Sequence, residues 1–188
     1  MGTQVRLADL QNMKLLGQKI VGVVAWDYQM ARIVDCAGVD LVSVGDTVGI
    51  NLWGGQPNPL EITMDQMVVV CQAVRRGVRR ALLSCDFPFG PLQEGGRRSA
   101  VRAAIRLAKE AGVDMVKLDG AADQLDAVTA VTRAGIPVFA QFGITPQNSL
   151  KYGVTYSSMP SAEDAVPDEL LDEMVREPVV SLMRARCC

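Results

Sequence analysis

Apolar residues along the chain fall into two alternating patterns. Short, nearly unbroken apolar runs occur at 20–26 (IVGVVAW), 41–45 (LVSVG), 81–86 (ALLSCD), 115–120 (MVKLDG) and 137–143 (PVFAQFG). Runs of this length predict strands buried on both faces. Between them, segments 27–38, 63–77, 96–112 and 121–135 carry apolar residues at roughly i, i+3, i+4 and i+7, the period of an amphipathic helix. Each helical segment ends near a glycine (Gly38, Gly77, Gly112, Gly135) suited to the left-handed C-cap. The junctions CAGVDLVSVGD, EAGVDMVKLDG and RAGIPVFAQFG resemble one another. The chain therefore reads as a repeated β/α module, which predicts a parallel sheet.

The polar residues choose between an open sheet and a barrel. Asp46, Asp86, Asp119 and Gln141 all lie at or just past the C-terminal ends of successive strands. Both architectures place functional groups there. Four such groups from four consecutive strands favour one ring-shaped rim. No glycine-rich dinucleotide fingerprint follows the first strand. The expected fold is α/β, of the (β/α)8 TIM-barrel type, with only the first five β/α units. A full barrel takes about 250 residues, against 188 here. Residues 1–188 are then a single incomplete barrel domain. Its last part, 144–188, is a divergent loop, a short helix (168–177) and a tail without strand signals.

Composition narrows the chemistry. The net charge of −2 gives no broad basic surface, so nucleic acid is not an expected partner. No apolar run is long enough to span a bilayer, and the N-terminus lacks the form of a signal peptide. A cytoplasmic protein with no membrane partner is expected. Cys36, Cys71 and Cys85 sit in apolar runs and read as reduced core residues. There is no histidine. Acid–base and metal chemistry must then rest mainly on oxygen ligands, which suit a hard cation such as Mg2+.

Three clusters carry that chemistry. In SVGDTVGINLWGG (43–55), glycines around Asp46 let backbone approach a small ligand. In CDFPFG (85–90), Asp86 ends its strand. Taken alone, either aspartate could equally be a turn cap. In VKLDG (116–120), the period of two puts Lys117 and Asp119 on one face. A lysine inside an apolar strand either snorkels outward or pairs with buried carboxylates.

With AWDYQMA (25–31), LEITMDQMVVVCQAVRRG (60–77), AGVDMVKLDG (111–120) and FGITPQN (142–148), these motifs stand in an order and spacing that resemble the ketopantoate hydroxymethyltransferase family. The resemblance implies a (β/α)8 barrel, a Mg2+ site and a homo-oligomer. It also implies hydroxymethyl transfer from 5,10-methylenetetrahydrofolate to 3-methyl-2-oxobutanoate, a 2-oxo acid, giving 2-dehydropantoate by way of a metal-stabilised enolate. By the same resemblance Asp46 and Asp86 ligate the metal, with Asp119 beside them where the family usually has Glu. Asp46, Thr47, Asp86 and Lys117 contact the keto acid, Thr47 replacing a Ser. Gln141 stands behind the site where the family usually has His, and 54–58 lacks a usual His-Asp pair. The family's catalytic Glu lies on a later strand, and no residue of this chain is assigned that role. Two alternatives share the strand-end carboxylates: a related Mg-dependent 2-oxo acid lyase or mutase barrel, and a non-catalytic shortened paralogue or subunit.

Overall fold

The computed structural model describes residues 3–54, 59–141, 147, 150 and 180–182. Six strands form one parallel sheet: β1 (Gly22–Val24), β2 (Leu41–Val44), β3 (Leu82–Asp86), β4 (Met115–Leu118), β5 (Val138–Ala140) and β6 (Val180–Leu182). Their spatial order is the chain order, β1-β2-β3-β4-β5-β6. A doubly wound sheet reverses direction at a switch point, whereas a barrel arc runs straight through. The helices are α1 (Leu7–Leu15), α2 (Tyr28–Cys36), α3 (Val48–Trp53), α4 (Met64–Gly77), α5 (Arg97–Arg106) and α6 (Leu125–Arg133). Among them, none is long and apolar enough to cross a membrane.

Alternation along the strands sorts two cores. Val42, Val44, Leu83, Cys85, Val116, Leu118, Val138 and Ala140 pack in one cluster with the buried faces of α2, α4, α5 and α6. Their neighbours Leu41, Leu82 and Met115 turn to the other face and cluster with Leu10 of α1 and with Val5. The partly buried Phe139 packs there too. That inner face changes character along the strands. Its floor is Leu41, Leu82, Met115 and Phe139, covered by α1. Ser43 and Ser84 follow, then Asp86, Lys117 and Asp119 at the C-terminal end.

Aspartates fasten the opposite, N-terminal end. Asp35 accepts from the backbone N–H groups of Arg79, Arg80 and Ala81 at 2.8–3.2 Å. Asp114 accepts from Leu83 N at 2.8 Å and pairs with Arg75 at 2.9 Å. Asp40 accepts from Val21 N at 3.0 Å. These carboxylates satisfy backbone donors where strands begin, a structural duty.

Several expectations change. The expected five strands become six, because three residues of the tail pair with β5; so short a strand is specified by its neighbour, not by local signals. Strand β1 is not buried on both faces. It lies at the sheet edge, and Val24 is 44% exposed. Cys36 is exposed at the end of α2, while Cys71 and Cys85 are buried as expected. The helical segment 96–112 closes in a π turn at Leu107–Ala111, and 121–135 opens with a 3-10 turn at Ala121–Gln124. The helix expected at 168–177 lies outside the described residues, as does nearly all of the loop before it.

Gly77 also differs from expectation. Gly38, Gly112 and Gly135 have positive φ, as C-cap glycines should. Gly77 does not; it is the last residue of α4, pressed against α2. A Cβ there would lie 2.7 Å from the Tyr28 carbonyl and 2.7 Å from Ala31 Cβ. Backbone cannot yield as a flexible side chain can. Gly77→Ala is therefore expected to destabilise the protein by about 1–3 kcal/mol despite alanine's better helix propensity. Chemical denaturation checks this; an unchanged midpoint would count against the close packing.

Candidate active site

Three consecutive strands deliver the site. Asp86 is the last residue of β3, Asp46 lies two residues past β2, and Asp119 one residue past β4. Asp86 and Lys117 are direct partners in the β3–β4 register. Lys117 Nζ donates to Asp86 Oδ2 at 2.6 Å and to Asp119 Oδ1 at 2.9 Å. The lysine side chain is 14% exposed, so it pairs within the site instead of snorkelling to solvent. Lys117 and Asp119 share a face, as the period of two predicts. Asp46 is buried beside them and its Oδ2 accepts from Gln147 Nε2 at 2.8 Å.

The remaining expected residues lie around this group. Thr47 sits at the N-cap of α3, and its hydroxyl makes no capping bond. A Cβ on Gly45 would lie 3.2 Å from Thr47 Oγ1 and 3.8 Å from Asp86 Oδ2, so glycine keeps space open between them. Gln141 directly follows β5; its backbone N–H donates to Leu118 O and its carbonyl accepts from Ala121 N, both at 3.0 Å. Gln147 is a site residue that sequence reasoning misses, although FGITPQN contains it. Its partner Asp46 is 101 residues away, and no local pattern signals such a contact.

Charge is the site's main feature. Three carboxylates share one ammonium, so with all three ionised two negative charges go uncompensated in a buried place. Burial, then the neighbouring Asp86 charge, pushes the Asp46 carboxyl up to about 7. Burial likewise pushes Asp86 up to about 6, against the opposing pull of Lys117. Burial alone would lower Lys117, but the charges of Asp86 and Asp119 outweigh it and hold the ammonium above its ordinary value.

Among the described residues, Asp86 Oδ1 is buried without a hydrogen-bond partner. Such an atom is costly unless something fills its place. The carboxylate donors are all oxygen, their ionised forms outnumber the one ammonium, and Asp86 Oδ1 awaits a partner, as does Ser84 Oγ; these fit a hard divalent cation. No group of three His, Cys, Asp or Glu among the described residues closes on one point as a self-sufficient metal cage. Mg2+ does not need one, since it commonly takes one or two protein carboxylates and completes its shell with water and substrate.

The raised carboxyls give the metal-free protein a pH dependence. Both bind protons more tightly folded than unfolded, where an aspartate titrates near 3.9. Their stabilising contribution is full below about pH 4 and is lost as pH rises through about 6 and about 7. Thermal melts in EDTA are expected to show a lower Tm at pH 7.5 than at pH 5.5, a difference that Mg2+ narrows or reverses. Equal midpoints in EDTA, or the same slope in Asp46→Asn, would remove this account.

A β/α barrel arc with a buried, lysine-centred carboxylate cluster at the C-terminal ends of β2 to β4 defines the class. Comparison with known proteins carries it to a family. The ketopantoate hydroxymethyltransferase family matches residues 4–175. A 3-methyl-2-oxobutanoate hydroxymethyltransferase of Cytophaga hutchinsonii is 39% identical over 174 residues, covering 93% of this chain and 63% of that protein. The corresponding protein of Thermosynechococcus vestitus is 45% identical, over 79% of this chain and 57% of its own. The chain belongs to the ketopantoate hydroxymethyltransferase family, and it spans less than two thirds of the length of these relatives.

Solved structures agree on the fold. Oxaloacetate acetylhydrolase superposes with a TM-score of 0.61 at 15% identity, over 97% of this chain and 65% of that one. A phosphonopyruvate hydrolase complexed with oxalate and Mg++ gives 0.60 at 16% identity, over 92% and 69%.

Proposed function

We propose that the chain serves the family's reaction: transfer of a hydroxymethyl group from 5,10-methylenetetrahydrofolate to 3-methyl-2-oxobutanoate, in the synthesis of pantothenate. The observation that carries this reading is the buried cluster of three carboxylates around one ammonium, whose Asp86 Oδ1 lacks a partner. Asp46 and Asp86 would hold Mg2+, Asp86 through the Oδ1 that Lys117 leaves unpartnered, with Asp119 beside them. Bound there, the cation would polarise the keto-acid carbonyl and acidify C3.

The chain's own residues bind and orient the keto acid, and none is assigned the removal of its C3 proton. Lys117 has three N–H donors and gives two to Asp86 and Asp119. The third is left for the keto acid, and the held ammonium places positive charge where negative charge develops. Thr47 Oγ1, across the space kept by Gly45, offers a neutral hydrogen bond to the same substrate. The lyase and mutase alternative has only fold-level likeness behind it, at 16–18% identity to a 2,3-dimethylmalate lyase.

The test is proton NMR of the chain with 3-methyl-2-oxobutanoate in D2O, with and without Mg2+. Saturation transfer to the keto acid that requires Mg2+ is the expected result. Loss of the C3 proton signal would further report a base in place. A folded chain that binds no keto acid in the presence of Mg2+ would sink the proposal.

A further inference from the structure

Gln147 is a buried polar side chain at the site to which the proposed reaction gives no task. It is 4% exposed. Its Nε2 donates to Asp46 Oδ2 at 2.8 Å and to the Phe87 carbonyl at 2.7 Å. A primary amide nitrogen has two N–H bonds, so both are spent. Both partners are acceptors, a carboxylate and a carbonyl. That requires the nitrogen end of the amide to face them and removes the usual ambiguity between its two ends.

The three residues come from three different connections. Asp46 follows β2, Phe87 follows β3, and Gln147 lies past β5. The amide therefore ties the loop bearing one carboxylate to the backbone just after Asp86. A carboxylate on a short side chain can turn about its last bond. With Oδ2 bound to an amide that is itself anchored on Phe87, Asp46 cannot turn without breaking a buried hydrogen bond.

We infer that Gln147 is a positioning residue for the cation site: it fixes the Asp46 carboxylate relative to Asp86 and reserves Asp46 Oδ1 for the metal. Partners that orient a metal-binding carboxylate in this way commonly set affinity almost as strongly as the ligands do. The inference rests on the metal reading under the proposed function.

The experiment is an electron paramagnetic resonance titration of the full chain with Mn2+, an oxygen-seeking dication whose signal reports binding without any need for turnover. Gln147→Met keeps length and removes both donors. Gln147→Glu keeps shape and replaces the donor by a second carboxylate. Both folded variants are expected to bind Mn2+ about 10- to 100-fold more weakly than the unsubstituted chain. A purely structural role would lower Tm and the fraction of chains that bind, but leave the Kd of the folded fraction unchanged; that result overturns the inference. Tighter binding by Gln147→Glu also overturns it, because charge would then matter and orientation would not. If neither variant folds, Gln147 is a structural residue and the inference falls. If the unsubstituted chain binds no Mn2+, the metal reading itself fails and the inference goes with it.

Discussion

Replacing Lys117 with methionine is expected to produce the largest loss of stability at any site residue. Methionine matches the lysine stem in length and apolarity, so packing changes little. What disappears is the ammonium between Asp86 and Asp119, both of which stay buried. Removing one partner of a buried ion pair costs about 3–5 kcal/mol, because the other charge remains in a poor solvent for it. Asp86 can escape by taking up a proton, since burial already favours its neutral form. The loss is therefore expected to be full near pH 8 and much smaller near pH 5.5. Urea denaturation in EDTA at the two pH values measures it. A variant as stable as the parent at pH 8 would show that Lys117 is not the counter-charge the geometry makes it.

Asp86→Asn should do the opposite. The substitution removes one of two uncompensated negative charges, and the asparagine oxygen can still accept from Lys117. Metal-free stability at pH 7.5 is expected to stay level or rise. Cation affinity is expected to fall by roughly 100-fold or more, because a ligand atom is gone and not merely reoriented. Calorimetric titration with Mg2+ beside a thermal melt reads both quantities. A variant that lost stability and kept its metal would reverse the roles of Asp86 and Lys117. The two substitutions together separate the residue that neutralises the cluster from the residue that makes it useful.

Much of this is legible in the chain. The alternation of buried strands with amphipathic helices predicts the β/α order, and the period of two predicts that Lys117 and Asp119 face one way. Strand-end positions mark Asp46 and Asp86, although only the contacts show that they meet Gln147 and Lys117. The rest depends on partners far away in sequence. Gln147 meets Asp46 across 101 residues. Gly77 looks like a C-cap glycine until α2 is seen lying on it. Helix α1 has almost no amphipathic pattern, because its main buried anchor is the single residue Leu10, set into the floor of the inner face. Strand β6 exists only because β5 offers it an edge. In each case the deciding term is tertiary, and a window of local sequence does not contain it.

The aspartates of the sheet divide by position. At the strand entrances Asp35, Asp40 and Asp114 spend their oxygens on backbone N–H groups. At the strand exits Asp46, Asp86 and Asp119 turn theirs to the side chains of Lys117 and Gln147 and, on the proposed reading, to a cation. The same residue type is thus mortar at one end and reagent at the other, and the two uses share no hydrogen bond. Substitutions at the exits leave the anchorage of the strands untouched, so the exits can be re-equipped without rebuilding the sheet. That separation gives a physical reason why one chassis can underlie both hydrolases and hydroxymethyltransferases whose sequences agree at only 15–16% of positions.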